Sequence, residues 1–289
     1  MTILDDIKQQ YRYGGLVQKL IFWNIGVFLI SIIFFRNFSQ GVFVYPQWMG
    51  LSSNWEVALP YFWTFLTYSF FHGSFWHLLF NMIILNFAGR LFLTYFTERQ
   101  LLGAYILGAI FPGVVYVLAY TFFPLGNALL VGASASIMAV LFATVSYAPL
   151  MTIRLLLIGY VKLWHIAAVI LLLDILQLGL SNTGGHISHI AGAFFGYMFI
   201  FLLKRGTDLS TATNFVFSVF SKDKSKNKYT PFKKVHVNKT ANANSRTTHK
   251  ASTSKDINQK RIDEILDKIS RSGYDSLTKE EKEFLFQQK

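Results

Sequence analysis

The 289-residue chain has no cysteine, which rules out disulfides and thiolate metal sites and leaves the redox compartment open. Charge is scarce as well: Asp, Glu, Lys and Arg make up 15% of the residues, against 53% hydrophobic and 17% aromatic. So little charge cannot clothe an ordinary soluble domain, and the composition reads as a multi-span membrane protein. The opening residues, MTILDDIKQQYRYGG, lack the basic-then-apolar layout of a cleavable signal peptide. The first apolar run is therefore expected to stay as a membrane anchor. A formal charge of +12 remains, but most Lys and Arg lie from Lys204 onward. That basicity belongs to a tail and to loop ends, and no nucleic-acid partner is expected from it.

Thr2 and Asp5 are spaced as a capping box for a short helix over residues 2–13. Ile3, Ile7 and Tyr11 line one side of it, which suits a juxtamembrane segment (1–15) lying on the membrane surface. Apolar runs then predict spans over Leu16–Phe35, Trp76–Phe96, Leu101–Phe123, Gly132–Pro149, Val161–Leu180 and His186–Leu203. The expected fold class is all-α, a polytopic bundle of six transmembrane helices within residues 16–205. The connection Arg36–Phe75 carries Trp48, Trp55, Trp63, Pro46 and Pro60, and it reads as ordered structure in the membrane interface. Arg90, Arg99, Arg154, Lys162, Lys204 and Arg205 fall at alternate ends of the spans, while the loops after spans three and five have no Lys or Arg. The positive-inside rule then places both termini in the cytoplasm and the aromatic loop outside.

Beyond Lys204 the composition changes. Residues 206–255 read as a basic, disordered linker attracted to anionic headgroups. Residues 256–289 return to helix: Ile262, Ile265, Leu266 and Ile269 share a face, Gly273 can end it, and Thr278-x-x-Glu281 is a second capping box. This predicts a cytoplasmic helical hairpin whose partner cannot be read.

Candidate chemistry begins at Val131–Met138, VGASASIM. Small residues there let the chain turn tightly and leave Ser134 at a helix start, where free N–H groups favour an anion. Ser134 can thus be a nucleophile beside half an oxyanion hole, or the small residues can serve packing alone. His186 and His189 are one turn apart, and Gly192 and Gly196 follow on much the same face as His189. Ala135, Ala139 and Ala143 offer a matching small surface in span four, so spans four and six are expected to pack backbone to backbone and bring His189 towards Ser134. His189 is then a general base for Ser134, or it bonds a carbonyl. His77 and Asn81 share a face at the start of span two, with His72 just ahead. They suit an uncharged oxyanion hole, or they hold the first loop. A metal on His72, His77, His186 and His189 is the weaker reading, since the sequence has no neighbouring carboxylate and no His-Glu-x-x-His. Asp174 within span five reads as bonding a neighbouring helix or lining water, with a third catalytic role as the alternative. Span four rises about 25 Å, less than the ~30 Å hydrocarbon core, so Ser134 would sit below the outer surface and hydrolysis would need a wet cavity.

Gly132-Ala133-Ser134, the His72/His77/Asn81 spacing and His189-Ile-Ala-Gly192-xxx-Gly196 together resemble the rhomboid family of intramembrane serine proteases, over roughly residues 16–203. The resemblance implies a cofactor-free serine endopeptidase with Ser134 as nucleophile and His189 as general base. His77, Asn81 and the Ser134 N–H would form the oxyanion hole, and His72, Gly132, Ala135, Met138 and His186 would line the site. Substrates would be transmembrane proteins cut at small residues in unwound helix, in contact with membrane lipids. The implied setting is a bacterial inner membrane, or else an organelle membrane, with the active site open to the extracytoplasmic side. The tail after Asp256 resembles an appendix of some bacterial relatives. Three positions depart from the family's habit: Ala135 where Gly often follows the serine, Met138 in place of an aromatic, and Thr64 where an Arg often follows Trp63. Non-catalytic rhomboid-like proteins that bind membrane clients are the rival reading, but they lack the Ser–His pair. A small transporter would show internal repeats, and none are evident.

Overall fold

The computed structural model describes residues 2–155, 159–180, 182–220 and 254–287. It divides into two units, Met1–Lys224 and Ser225–Lys289.

The first unit opens with α1 (Ile3–Tyr13), whose Thr2–Asp5 capping box is formed in both directions. The apolar helix α2 (Gly15–Phe35) follows. The aromatic connection is ordered. It holds a small hairpin of β1 (Arg36–Asn37) with β2 (Val42–Phe43), then β3 (Leu51–Ser52), α3 (Trp55–Ala58), α4 (Thr64–Thr67) and a 3-10 turn at Tyr68–Phe70. Next come α5 (Phe75–Phe92), α6 (Glu98–Phe122), the short β4 (Leu129–Leu130) and α7 (Ser134–Tyr147). The hairpin β5 (Thr152–Leu155) and β6 (Gly159–Lys162) precedes α8 (Leu163–Gln177) and α9 (Thr183–Lys204). A 3-10 segment, Leu209–Thr213, and α10 (Asn214–Phe220) complete the unit's described part.

Among the described residues, four helices are long and apolar enough to cross a membrane: α2, α5, α6 and α9, of 21, 18, 25 and 22 residues. The expected fourth and fifth spans are shorter, at 14 and 15 residues. At about 1.5 Å per residue they rise only about 21 and 22 Å, less than the ~30 Å hydrocarbon core. Both lost length to backbone geometry. Gly132 sits at φ +132° ahead of α7, and Ala148 leaves the helical region behind it. Ahead of α8, Gly159–Lys162 pairs antiparallel with Thr152–Leu155, a hairpin that the run of apolar residues concealed. The expected linker is also shorter at its start, because residues 209–220 are helical; residues 221–253 lie outside the described residues.

The core centres on α7, whose Ala139, Val140 and Ala143 are fully buried. Around them pack Leu85, Ala88 and Phe92 of α5, Leu101, Ala104 and Tyr105 of α6, and Phe195 and Phe199 of α9. A second cluster docks the first loop on α6 through Leu51, Ala58, Tyr68, Ala109 and Tyr116, with the Tyr68 hydroxyl donating to the Ala109 carbonyl at 3.0 Å. At the opposite end of α6, Arg99 pairs with Asp208 at 2.7 Å. Burial raises the Asp208 carboxyl, but hydrogen bonds from Ser210 and the Arg99 guanidinium outweigh it and hold the group below its usual range.

In the second unit α11 (Ser254–Ser272) ends at Gly273, φ +76°, and a 3-10 turn at Tyr274–Ser276 leads to α12 (Lys279–Gln287). Thr278 and Glu281 exchange capping hydrogen bonds of 2.8 and 3.3 Å, and Lys268 donates to Glu281 from across the turn at 2.9 Å. Among the described residues of this unit, Ile265 and Leu277 are buried.

Candidate active site

The turn into α7 is built on Gly132. Its N–H donates to the Tyr68 carbonyl at 3.0 Å, and its φ of +132° belongs to the region that side chains disfavour. A Cβ there would stand 2.8 Å from both Cε1 and Nε2 of His77. The same point lies 3.6 Å from Ser134 Oγ, so the His77 ring edge and the serine hydroxyl flank one small space. Ser134 opens α7, and its N–H belongs to the first turn, whose amides have no intrahelical acceptor. The turn is braced from the first loop. Residues Leu51 and Ser52 pair with Leu130 and Leu129, and Ser53 exchanges hydrogen bonds of 3.0 and 2.9 Å with Ala128.

His77 and Asn81 stand on successive turns of α5, which Ser74 caps by accepting from the His77 N–H at 3.1 Å. The Gly73 N–H donates to His77 Nδ1 at 3.4 Å. A ring nitrogen that accepts carries no hydrogen, so in the neutral ring the hydrogen sits on Nε2, at the edge facing Gly132. Asn81 uses one Nδ2 hydrogen on the His77 carbonyl, at 2.9 Å, and retains a second to donate.

His189 arrives on α9 by the close approach of two backbones. A Cβ on Gly192 would lie 2.3 Å from the Ala135 carbonyl oxygen, and one on Gly196 the same distance from that of Ala139. The small-residue pairing of the two sequences is therefore physically realised. Ser134, His77, Asn81 and His189 all line a single cleft of about 470 Å³. Among the described residues no hydrogen bond joins Ser134 Oγ to His189; such contacts commonly tighten only around substrate.

His72, Gly132, Ala135, Met138 and His186 do not line this cleft. Gly132 adjoins His77 and Ser134 at its edge, and the Ala135 carbonyl and Met138 Cβ face Gly192 between the helices. His72 is fully buried, its ring edge-on to His77 with centroids 5.1 Å apart. His186 is buried behind His189, with ring centroids 5.9 Å apart. The four histidines thus form two pairs rather than one metal-binding set. The absence of a nearby carboxylate, however, holds only along the chain: Asp174 Oδ1 lies 2.8 Å from Nδ1 of both His186 and His189. These three ligand atoms lie within 4.8 Å of one another. Two donors on one tetrahedral zinc at about 2.1 Å would sit about 3.4 Å apart, so the observed separations are those of hydrogen bonds.

The cleft also uses residues that the sequence reading did not single out: Phe80, Ile84, Leu129, Leu130, Asn182 and Gly185. Phe80 and Ile84 lie three residues beyond His77 and Asn81, on the face already in view. Asn182 sits in the left-handed region at φ +47° ahead of α9, a conformation that Asn tolerates best after glycine and that Asn-Thr-Gly-Gly could have suggested.

The fold and cleft define an integral membrane protein that carries a serine, two histidines and an asparagine inward from apolar helices. A Rhomboid domain model matches residues 60–206, which span α4 to α9 and every residue of the cleft. The chain belongs to the rhomboid family. Residues 248–287 match a family of unknown function (DUF6576), covering α11 and α12. No curated protein gives a significant match.

Proposed function

We propose that the protein is an intramembrane serine endopeptidase that cuts transmembrane segments of other membrane proteins through a Ser134–His189 dyad. The observation that carries the reading is the convergence of Ser134, His189, His77 and Asn81 on one cleft. Ser134 Oγ attacks the peptide carbonyl while His189 takes its proton. The Ser134 N–H, His77 Nε2–H and the free Asn81 Nδ2–H receive the oxyanion. His189 returns the proton to the leaving amine, and water then hydrolyses the acyl-serine by the same route.

The shortness of α7 supports a wet cleft below the membrane surface, and lipid surrounds the bundle. In this reading six helices alternate across the membrane with both termini and the C-terminal hairpin cytoplasmic, and the cleft opens to the extracytoplasmic side of a bacterial inner membrane. Cleavage falls at small residues where the substrate helix unwinds. No cofactor or metal takes part. The rival is client binding without hydrolysis. What favours hydrolysis is that Ser134, His189, His77 and Asn81 share one cleft that Ala135, Met138 and Thr64 do not line.

The test is labelling of the detergent-solubilised protein with a fluorophosphonate probe. Labelling of wild type that disappears in Ser134→Ala and His189→Ala is expected. Labelling that persists in either variant refutes the dyad, and folded wild type that neither labels nor cleaves a transmembrane substrate supports client binding.

A further inference from the structure

Asp174 is the charged group beside the cleft that this hydrolysis leaves unused. It interrupts an apolar run on α8, ILLLDILQ, and its neighbours Leu172, Leu173, Ile175 and Leu176 are all at least 50% exposed. Asp174 itself is only 5% exposed. A carboxylate turned inward from an apolar helix is costly unless it is paired, and it defaults to a functional reading. Its partners are His186 and His189, whose Nδ1 atoms both lie 2.8 Å from Oδ1. Oδ2 is buried and has no hydrogen-bond partner among the described residues.

An ionised carboxylate oxygen only accepts hydrogen bonds, so each Nδ1 must carry its ring hydrogen. A neutral imidazole with hydrogen on Nδ1 keeps its lone pair on Nε2, and in His189 that is the nitrogen left for the cleft and for Ser134. Without the carboxylate, His189 would divide between two tautomers, and in one of them Nε2 could not accept a proton. His186 does not line the cleft; it supplies a second donor to the same oxygen and so fixes the carboxylate.

We infer that Asp174 is a positioning residue for His189: it sets the Nδ1–H tautomer and ring orientation, and it stabilises the imidazolium that forms when Nε2 takes the Ser134 proton. Asp174 takes no proton itself. The arrangement makes Ser134, His189 and Asp174 a triad spread over α7, α9 and α8, with His186 buttressing its third member. The inference rests on the peptidase reading.

The test compares wild type with Asp174→Asn, using steady-state cleavage of a transmembrane peptide, thermal unfolding in detergent, and nitrogen NMR of ¹⁵N-histidine-labelled protein. In wild type, the His189 signals should report hydrogen on Nδ1 and a bare Nε2. In Asp174→Asn the amide can donate to Nδ1, so the hydrogen should move to Nε2. The value of kcat should fall roughly 100- to 10,000-fold with KM little changed, while the unfolding midpoint stays near that of wild type. A purely structural role would lower the midpoint and leave the tautomer alone. Three results would overturn the inference: a bare Nδ1 on His189 in wild type, an Asp174→Asn variant within about threefold of wild-type kcat, or a stoichiometric transition metal whose chelation abolishes activity. The first and third need no variant, so a misfolded Asp174→Asn cannot shelter the idea. Inactive wild type defeats the peptidase reading and with it any catalytic role for Asp174; active wild type beside equally active Asp174→Asn defeats the positioning role alone.

Discussion

If α7 and α9 meet backbone to backbone, adding one methyl group between them must push them apart. On Gly196 a new Cβ would lie 2.3 Å from the Ala139 carbonyl oxygen and 2.8 Å from the Ala143 nitrogen, both backbone atoms that no rotamer change can move. Contacts under 3.0 Å are essentially never adopted by real Cβ atoms, so the helices must separate by at least the remaining 0.7 Å (3.0 minus 2.3). Overpacking of this kind costs about 1–3 kcal/mol. Gly192→Ala meets the Ala135 carbonyl at the same 2.3 Å, but it lies one turn from His189. There the displacement moves His189 relative to Ser134, and if the two form the proposed dyad a ~1 Å misplacement of reacting groups costs about 100-fold in rate. Gly26→Ala is the control: nothing lies within 4 Å of its Cβ position, and alanine in a helix interior is favoured over glycine by about 1 kcal/mol. The assay pairs thermal unfolding in detergent with the rate of fluorophosphonate labelling. Both interface variants should be less stable than wild type, Gly192→Ala should label far more slowly, and Gly26→Ala should match or exceed wild type. Interface variants that unfold and label like wild type would refute the close approach of the two helices.

Asn81→Ala should lower kcat by roughly one to three orders of magnitude if its second amide hydrogen binds the oxyanion; unchanged kinetics would confine Asn81 to packing. Asp208 is held below its usual carboxylate range in the folded protein, so its contribution to stability is complete above the unfolded value and is lost as pH falls through the lowered one. Asp208→Asn should therefore lower the unfolding midpoint at pH 7 and reduce the acid-side loss expected of wild type below about pH 4, which a pH series of melting curves can read; parallel curves would dismiss the Arg99 pair. Removing residues 254–289 should leave labelling of Ser134 unchanged, since every residue of the cleft belongs to the first unit, and an inactive but folded truncation would make the second unit part of the enzyme.

The sequence announced best what depends on local chemistry. The capping boxes at Thr2 and Thr278 formed as spaced, because each needs only residues three apart. The pairing of Ala135 and Ala139 with Gly192 and Gly196 was also legible, since a periodic stripe of small residues has few uses other than close approach. The length of the central helices was not. Apolar composition continues through Gly132 and through Tyr160 and Val161, but φ at Gly132 and the β5–β6 pairing end the helices there. Hydropathy registers where a chain avoids water, and it is blind to which hydrogen bonds its backbone makes. Asp174 was harder still: its partners lie 12 and 15 residues along the chain, on the next helix. Only the relative rotation of α8 and α9 tells whether they meet.

The groups of the cleft are held by unlike means, and this bears on the missing arginine at Thr64. His77 and Asn81 ride on a capped helix start, and His189 on a backbone contact that tolerates no side chain. Ser134 depends on the first loop, because its turn is fastened to that loop at Tyr68, Ser53 and the β3–β4 pair. That loop must itself be firm for the fastening to matter. It carries no cation at Thr64 and is held by neutral hydrogen bonds: Thr64 donates to the Tyr61 carbonyl at 2.7 Å, Trp63 Nε1 to the Trp48 carbonyl at 2.8 Å, and the Tyr68 hydroxyl to Ala109 on α6. Thr64 and Tyr68 are buried, and their neutral bonds are strengthened there and carry no charge to desolvate. The loop is thus a brace for the turn that carries Ser134, and Thr64 takes part in it through a neutral hydrogen bond.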